Sequence, residues 1–211
     1  MLNKLMNELD ITKKLIDKLA AKLNQNLNKE GLELKKMKLG LEIVLINASK
    51  FLVVFIISAY LNLFKEALLM VVVFGSLRKS AFGIHAKSSL ICTINTLGMF
   101  VGGAYISQNI KLNNYTVLGA FLIMNLLMYK YAPADTENHP LPGKKLRKQL
   151  KKQTVITGVL ITFIALLVPS PLVKALMTLA SSFAVINILP VTYKILNRRY
   201  RNYEEFERTS N

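Results

Sequence analysis

The sequence predicts an all-α membrane protein with about six transmembrane helices and an amphipathic helix before them. Hydrophobic residues make up 52% of the 211 residues and fall in long blocks, while charged residues stand in separate runs between the blocks. A soluble domain mixes charged and apolar residues along each helix, so this separation is typical of a multispanning membrane protein. The second observation that supports this fold class is the uneven distribution of basic residues between alternate loops.

The first forty residues predict the amphipathic helix. Apolar side chains stand at positions 2, 5, 9, 16, 19, 23 and 27 of an otherwise polar, lysine-rich stretch, which approximates a heptad stripe. Such a helix lies on an anionic membrane surface, pairs with a partner helix, or packs on the rest of the protein. Gly31 and the charged stretch Glu33 to Lys38 are expected to end it. No cleavable signal peptide is expected, because this region has no apolar core.

Six apolar segments follow, at residues 41–63, 67–77, 88–107, 115–132, 154–169 and 172–192. A helix needs about 20 apolar residues to span a bilayer, so the second and fifth segments are short and one of them could be re-entrant. Pro169, Pro171 and Pro190 are expected at span ends, where proline removes no helical hydrogen bond. The predicted organisation is a cytoplasmic or interfacial region 1–40, a transmembrane domain 41–192 and a basic cytoplasmic tail 193–211.

The basic residues predict the orientation of these spans in the cell membrane. With six spans and both termini in the cytoplasm, the inner segments are residues 1–40, 78–87, 130–153 and 193–211. All 28 Lys and Arg residues lie in these segments except Lys50, Lys65, Lys111 and Lys174. This asymmetry follows the positive-inside rule for short loops. Topology therefore accounts for the net charge of +16, and nucleic-acid binding is not favoured because the sequence contains no soluble fold for it.

Two rare residues stand close together at one cytoplasmic edge. Cys92 is the only cysteine, and His85, one of two histidines, precedes it by seven residues. Arg78, Lys79 and Lys87 are nearby, and an imidazole with basic neighbours favours the nucleophilic thiolate. The alternatives are a small apolar cysteine in a membrane helix and an interfacial histidine. One cysteine excludes an internal disulfide, and neither a metal site nor a cofactor is predicted.

The spacing of this pair requires a bend in the chain. Positions i and i+7 of one straight helix lie about 10 Å apart along its axis, whereas a base must come within roughly 3 Å of the proton that it removes. Gly83 permits a turn before His85. A new helix is then expected to start near Ser88, which places Cys92 in its first turns, where the helix dipole favours the thiolate.

These residues resemble the signature of the accessory gene regulator B family. Gly83-Ile-His85-Ala, followed by Cys92 and preceded by Arg78, is similar to that signature, and Phe82 stands where a first glycine is common. The resemblance implies a membrane cysteine endopeptidase that processes quorum-sensing propeptides in Gram-positive bacteria. A second stretch, residues 131–141, is similar to the loop that follows the fourth span in the family, so the resemblance covers nearly the whole chain.

The resemblance implies a mechanism and a substrate. The propeptide would carry an amphipathic leader, a central signal sequence with its own cysteine or serine, and an acidic tail. Cys92 would attack the bond between signal and tail with His85 as the base, and the resulting thioester would pass to the substrate's own side chain to close a thiolactone or lactone ring. Arg78 and Gly83 correspond to family positions needed for activity, through charge and turn geometry respectively.

Other polar residues are candidates for supporting roles. Charge sign draws the acidic tail to the basic run after the fourth span, and anchoring of the topology is the alternative role of that run. The candidates for contact with the tail are Lys144, Lys145, Arg147 and Lys148, together with the Arg198–Arg201 cluster. The candidates to orient His85 are Asp135, Glu137 and His139, unless that loop is only a polar turn formed by its prolines.

Two other function classes remain open on the residues alone. A peptide exporter would carry an intramembrane charge or an internal repeat, but only Lys50 lies well inside a span and no repeat is visible. A non-catalytic membrane scaffold would act through the N-terminal helix and tolerate loss of Cys92. A homodimer is also expected, from the family resemblance and from the small-residue face of Gly98 and Gly102.

Overall fold

The computed structural model describes residues 17–25, 30–84, 89–137 and 140–209, and these residues form helices joined by turns. The chain divides into two units, Met1–Val53 and Val54–Asn211. Within the described ranges no strand is present, and an isolated β-bridge joins Phe82 to Ala134. The predicted all-α class is therefore confirmed.

The first unit contains the helical residues 17–25 (α1) and most of the helix Gly31–Tyr60 (α2). Lys38 forms an ion pair with Asp17 at 2.6 Å. Glu30 is not helical, and Gly31 begins α2 with a φ of +56°, so a helix break does occur there. Residues 33–38 do not end a helix as expected; they belong to α2, which continues past residue 40 into the apolar sequence. The predicted amphipathic helix before residue 17 lies outside the described residues.

The second unit contains the other helices, and each remaining apolar segment is helical. They are α3 (Phe64–Ala81), α4 (Ser89–Leu97), α5 (Gly103–Ser107), α6 (Asn114–Tyr131), α7 (Lys144–Leu167), α8 (Pro171–Ile186), α9 (Pro190–Ile195) and α10 (Tyr203–Thr209), with a π-helical turn Gly98–Gly102 between α4 and α5. Pro171 and Pro190 open α8 and α9, as expected of prolines at helix starts. The Asn113 side chain caps α6 by accepting from the Thr116 amide at 2.8 Å.

The core of the second unit lies where α8 packs against α3, α6 and α7. Its largest fully buried apolar side chains are Tyr193, Phe121, Met70, Leu77, Met128 and Leu176. Gly103 allows α5 to approach this core, because a Cβ atom there would lie 2.7 Å from Cε of Met70 and 3.1 Å from the Phe183 ring. A Cβ atom on Gly98 or Gly102 would meet no atom within 4 Å, so the use of that face in a homodimer stays a prediction.

One described helix, α7, is long and apolar enough to cross a bilayer by length and composition. The stretches Asn47–Tyr60, Ile91–Ser107 and Pro171–Ile186 are apolar but shorter. Large apolar side chains are nevertheless exposed on α6 and α7, among them Leu126 and Leu167, each 67% exposed. Six spans with cytoplasmic termini are therefore not confirmed, and their number and orientation stay predictions.

Candidate active site

The candidate site begins where α3 ends, at a turn that requires glycine. Phe82 and Gly83 have φ values of +56° and +109°, and the second of these lies where side chains with a Cβ atom are strained. A Cβ atom on Gly83 would also lie 2.5 Å from Nη1 of Arg78 and 2.6 Å from the carbonyl oxygen of Asn187. Gly83 thus has both the conformation and the close neighbours that exclude any other residue.

Arg78, in the last turn of α3, holds the chain that leaves this turn. Its Nη2 donates to the carbonyl oxygens of Gly83 at 2.9 Å and Ile84 at 2.5 Å. Its guanidinium carbon lies 5.9 Å from the centre of the Phe74 ring. Because Ile84 directly precedes His85 in the sequence, Arg78 sets the direction in which the backbone reaches the histidine.

Two distant segments hold the same turn from either side. The Gly83 amide donates to the Ala134 carbonyl at 2.7 Å, and the Ala134 amide donates back to the Ala81 carbonyl at 2.9 Å. On the other side, the Ile84 amide donates to the carbonyl of Asn187 at 3.0 Å. The backbone before His85 is therefore fixed by the loop after α6 and by the end of α8.

Cys92 lies in the first turns of α4, as expected, and its side chain is half-buried. Its carbonyl oxygen accepts a hydrogen bond from Thr96 Oγ1 at 2.6 Å. The Cys92 side chain lies within electrostatic range of the Arg78 guanidinium. His85 and residues 86–88 lie outside the described residues, and the contact between imidazole and sulfur stays a prediction.

The loop after α6 holds Asp135, a candidate orienter of His85, in a different set of contacts. Asp135 is 2% exposed, and its two carboxylate oxygens accept from the backbone amides of Asn202 at 3.0 Å and Tyr203 at 2.7 Å. Its carbonyl oxygen accepts from the Tyr193 hydroxyl at 2.7 Å. The carboxylate therefore holds the start of α10, and its effect on His85 stays a prediction.

Glu137 also contacts the C-terminal part of the chain. It forms an ion pair with Nη1 of Arg198 at 2.8 Å and accepts from the Arg199 amide at 3.4 Å. His139, the third candidate orienter, lies outside the described residues. The two described carboxylates of this loop thus join it to the residues between α9 and α10.

The predicted tail-binding residues at the start of α7 differ in their surroundings. Lys144, Lys145 and Lys148 are exposed. The side chain of Arg147 is 15% exposed and pairs with Glu207 of α10 at 2.7 Å. Three of the four candidates are therefore open to solvent, and the fourth already holds a carboxylate.

A cavity of about 260 Å³ lies between the start of α7, the end of α6 and the residues before α10. Five basic side chains line it: Lys130, Arg147, Lys148, Lys151 and Arg201. Burial raises the pKa of Tyr200 in its wall, so this phenol stays neutral at physiological pH. The cavity is suited to anions, since cations outnumber the one lining carboxylate, that of Asp135.

Comparison with known proteins identifies the family. The family model described as Accessory gene regulator B matches residues 13–193. The chain belongs to the accessory gene regulator B family. It is 52% identical over 199 residues to an AgrB-like protein of Clostridium acetobutylicum, covering 94% of this chain and 95% of that protein. It is 46% identical over 172 residues to an AgrB-like protein of Listeria welshimeri, covering 82% and 84% respectively. No solved structure matches the chain.

A more distant relative carries the family's full name. Accessory gene regulator protein B of Staphylococcus intermedius is 32% identical over 182 residues, which cover 85% of this chain and 96% of that protein. Membership of the accessory gene regulator B family gives the chain a part in quorum-sensing peptide processing, and the family is membrane-associated.

Sequence reasoning missed several residues that build the site of this accessory gene regulator B protein. Asn187 fixes the turn before His85 through its backbone carbonyl. Because every residue type has this group, the sequence gives no signal for the contact. The Tyr193 hydroxyl donates to Asp135, 58 positions away, and the Glu207 carboxylate accepts from Arg147, 60 positions away. One signal was available, since acidic residues near the basic segment 193–211 are natural partners for the basic run before α7.

Proposed function

We propose that the protein is an integral-membrane cysteine endopeptidase that cleaves a quorum-sensing propeptide on the cytoplasmic side of the cell membrane and promotes its cyclisation. Cys92 is the nucleophile and His85 is the base. The observation that carries the proposal is the position of Cys92 in the first turns of α4, next to a chain segment that Arg78 and Gly83 hold in place before His85.

The proposed nucleophile is the thiolate form of Cys92. A thiolate is the nucleophile in cysteine catalysis, and the start of a helix and nearby cations both stabilise it. Cys92 lies in the first turns of α4, and Arg78 is the nearby cation in this proposal. Arg78 also directs the backbone toward His85, so its proposed role combines charge with positioning.

The proposed reaction has two acyl-transfer steps. The Cys92 thiolate attacks the carbonyl between the signal sequence and the tail, the peptide bond breaks, and His85 gives its proton to the amine of the departing tail. The signal is then held as a thioester on Cys92. The substrate's own cysteine or serine attacks this thioester and closes the ring, and its proton returns to His85 as Cys92 leaves. Each step exchanges one acyl bond for another, so ring closure needs no nucleotide, provided that water is kept out.

The proposed membrane topology has six spans with both termini in the cytoplasm. Its support is the helical state of all six apolar segments in the described residues, the exposed apolar side chains of α6 and α7, and the distribution of basic residues. In this topology the turn at Gly83, the start of α4 and the basic cavity all face the cytoplasm, where the propeptide is made.

The proposed substrate is a propeptide whose acidic tail approaches the exposed lysines at the start of α7. Lys144, Lys145 and Lys148 are available for long-range attraction of such a tail. This contact would place the bond before the tail close to the site, because the cavity beside α7 shares Ala134 with the turn before His85.

Reconstitution in vesicles with a candidate propeptide tests the enzyme proposal. We expect Cys92→Ala and His85→Ala each to lower cleavage by roughly 10³-fold or more, the scale seen when a catalytic nucleophile or base is removed. A hydroxylamine-sensitive adduct should form in the wild type only. Asn95→Ala is the matched control, since this exposed residue lies one turn further along α4, and it should retain cleavage. Continued cleavage by Cys92→Ala would refute the proposal.

A further inference from the structure

The basic start of α7 already holds an acidic residue of the same chain. Oε1 of Glu207 accepts from Nη1 of Arg147 at 2.7 Å and from the Gly143 amide at 2.9 Å. These two donors converge on one carboxylate oxygen and form a small carboxylate site at the start of α7. The hydrogen bond from Arg147 also lowers the pKa of Glu207, so the carboxylate is ionised at physiological pH.

Arg147 is held in place by groups other than Glu207. Its Nη1 also donates to the Leu141 carbonyl at 2.8 Å, and its guanidinium lies 3.8 Å from the centre of the Tyr203 ring. Tyr203 is held in turn through its amide, which donates to the buried carboxylate of Asp135 at 2.7 Å. The donors of the site therefore keep their positions when the Glu207 carboxylate moves away.

The Glu207 carboxylate is easily displaced from this site by another carboxylate. Its side chain is 37% exposed, and ion pairs at such exposure contribute little stability. Only rotation of this one side chain is needed to open the site, since Asp135 holds the start of α10 independently. An incoming carboxylate then meets the same two donors.

The adjacent cavity extends the site for an acidic segment. Lys130, Lys148, Lys151 and Arg201 line it together with Arg147, so carboxylates that neighbour the first one also find cations. The one lining carboxylate, that of Asp135, already accepts two backbone hydrogen bonds. A peptide with several acidic residues matches this arrangement better than a single small anion does.

We propose that Arg147 and the Gly143 amide form the recognition site for an acidic segment of the propeptide, and that Glu207 is an intramolecular competitor for that site. The proposal rests on the proposed function only in naming the propeptide as the occupant. The present structure then represents the state in which the chain's own carboxylate fills the site. Binding of an acidic peptide exchanges one carboxylate for another, and the competitor lowers the apparent affinity.

A binding measurement without cleavage tests the competition. The probe is a fluorescein-labelled hexaglutamate peptide, and the full chain is reconstituted in phosphatidylcholine vesicles for fluorescence anisotropy. Glu207→Ala should lower the Kd by about two- to five-fold, the range expected when a weak intramolecular ion pair no longer competes. Arg147→Gln should raise the Kd, and Glu207→Ala should have no effect in that background. Tighter binding that depends on Arg147 is not explained by misfolding, so the comparison of Glu207→Ala in the two backgrounds decides the test.

Glu205→Ala is the matched control, because Glu205 lies on the same helix and pairs with Arg199 instead. It makes the same change in net charge and should leave the Kd unchanged. The proposal would be overturned if Glu205→Ala and Glu207→Ala changed the Kd equally. It would also be overturned if Glu207→Ala lowered the Kd in the Arg147→Gln background. Loss of probe binding when phosphatidylglycerol replaces phosphatidylcholine would overturn it too, since a lipid headgroup would then be the occupant. Because no cleavage is measured, failure of the peptidase proposal would not alter these outcomes.

Discussion

Replacement of Gly83 by alanine should disrupt the candidate active site. The new Cβ atom would lie 2.5 Å from Nη1 of Arg78 and 2.6 Å from the Asn187 carbonyl oxygen, where ordinary contacts are 3.4–4 Å. Arg78 has a flexible side chain and can move, but Asn187 presents backbone. A shift of about 1 Å is therefore forced on the turn, on the end of α8, or on both.

The loss of folding stability in Gly83→Ala follows from the contacts that this shift breaks. Holding a residue with a Cβ atom at the Gly83 φ of +109° costs about 1–3 kcal/mol. Loss of the bond from the Ile84 amide to Asn187 adds about 1 kcal/mol, and weakening of the Arg78 hydrogen bonds adds a similar amount. The sum is a destabilisation of roughly 3–5 kcal/mol. Activity should fall by about 10²-fold, since the displaced segment leads directly to His85.

Thermal unfolding in detergent and propeptide cleavage in vesicles measure the two effects. Gly75→Ala is the matched control, because Gly75 lies in α3 and a Cβ atom there meets nothing within 4 Å. That variant should keep wild-type stability and activity, with a small gain from helix propensity. A Gly83→Ala protein with unchanged unfolding temperature and unchanged cleavage would refute the geometry argued for this turn.

Three further predictions concern the residues around the cavity. Asp135→Asn leaves one side-chain oxygen for the two backbone amides that donate to Asp135. The variant should lower the free energy of unfolding by about 1–3 kcal/mol and speed trypsin cleavage after Arg201. An unchanged cleavage rate would contradict the prediction. Neutralising the exposed lysines at the start of α7, Lys144, Lys145 and Lys148, should raise the KM for an acid-tailed propeptide and flatten the salt dependence of that KM. Lys111→Gln, in a predicted outer loop, should change neither. Because the pKa of Glu207 is lowered, its contact with Gly143 should persist at neutral pH and be lost only as the pH falls below the ordinary glutamate value of 4.5. Hydrogen exchange of the Gly143 amide measures this, and loss of protection near pH 6 would argue against it.

The sequence predicted the helices well, because their signals are local. Apolar blocks predicted helices in the regions of α3 to α9, although α7 begins ten residues before its predicted segment and the last segment is divided into α8 and α9. Gly83 predicted the break before Cys92. The prediction that residues 33–38 end a helix was wrong. Charged residues are good helix formers when they face solvent, so a charged run is a weak signal for a helix end.

The site was predictable only in part. Cys92 and Arg78 were expected to lie near each other from their order around a turn, and the structure brings their side chains within electrostatic range of each other. Asp135 was one of three candidates to orient His85; its carboxylate accepts from the amides of Asn202 and Tyr203, and its effect on His85 stays a prediction. A buried carboxylate takes whichever donors the fold brings to it, and here these are 67 and 68 positions away.

The sequence by itself therefore determined the helical class, the family and the identity of the candidate nucleophile. These depend on composition, on periodicity and on a short motif, each of which is read within a few neighbouring residues. Only the tertiary structure decided why residue 83 must be glycine, what Asp135 binds and which carboxylate occupies Arg147. Those properties arise from hydrogen bonds between segments 50 or more positions apart in the chain, and such contacts exist only after the helices have packed.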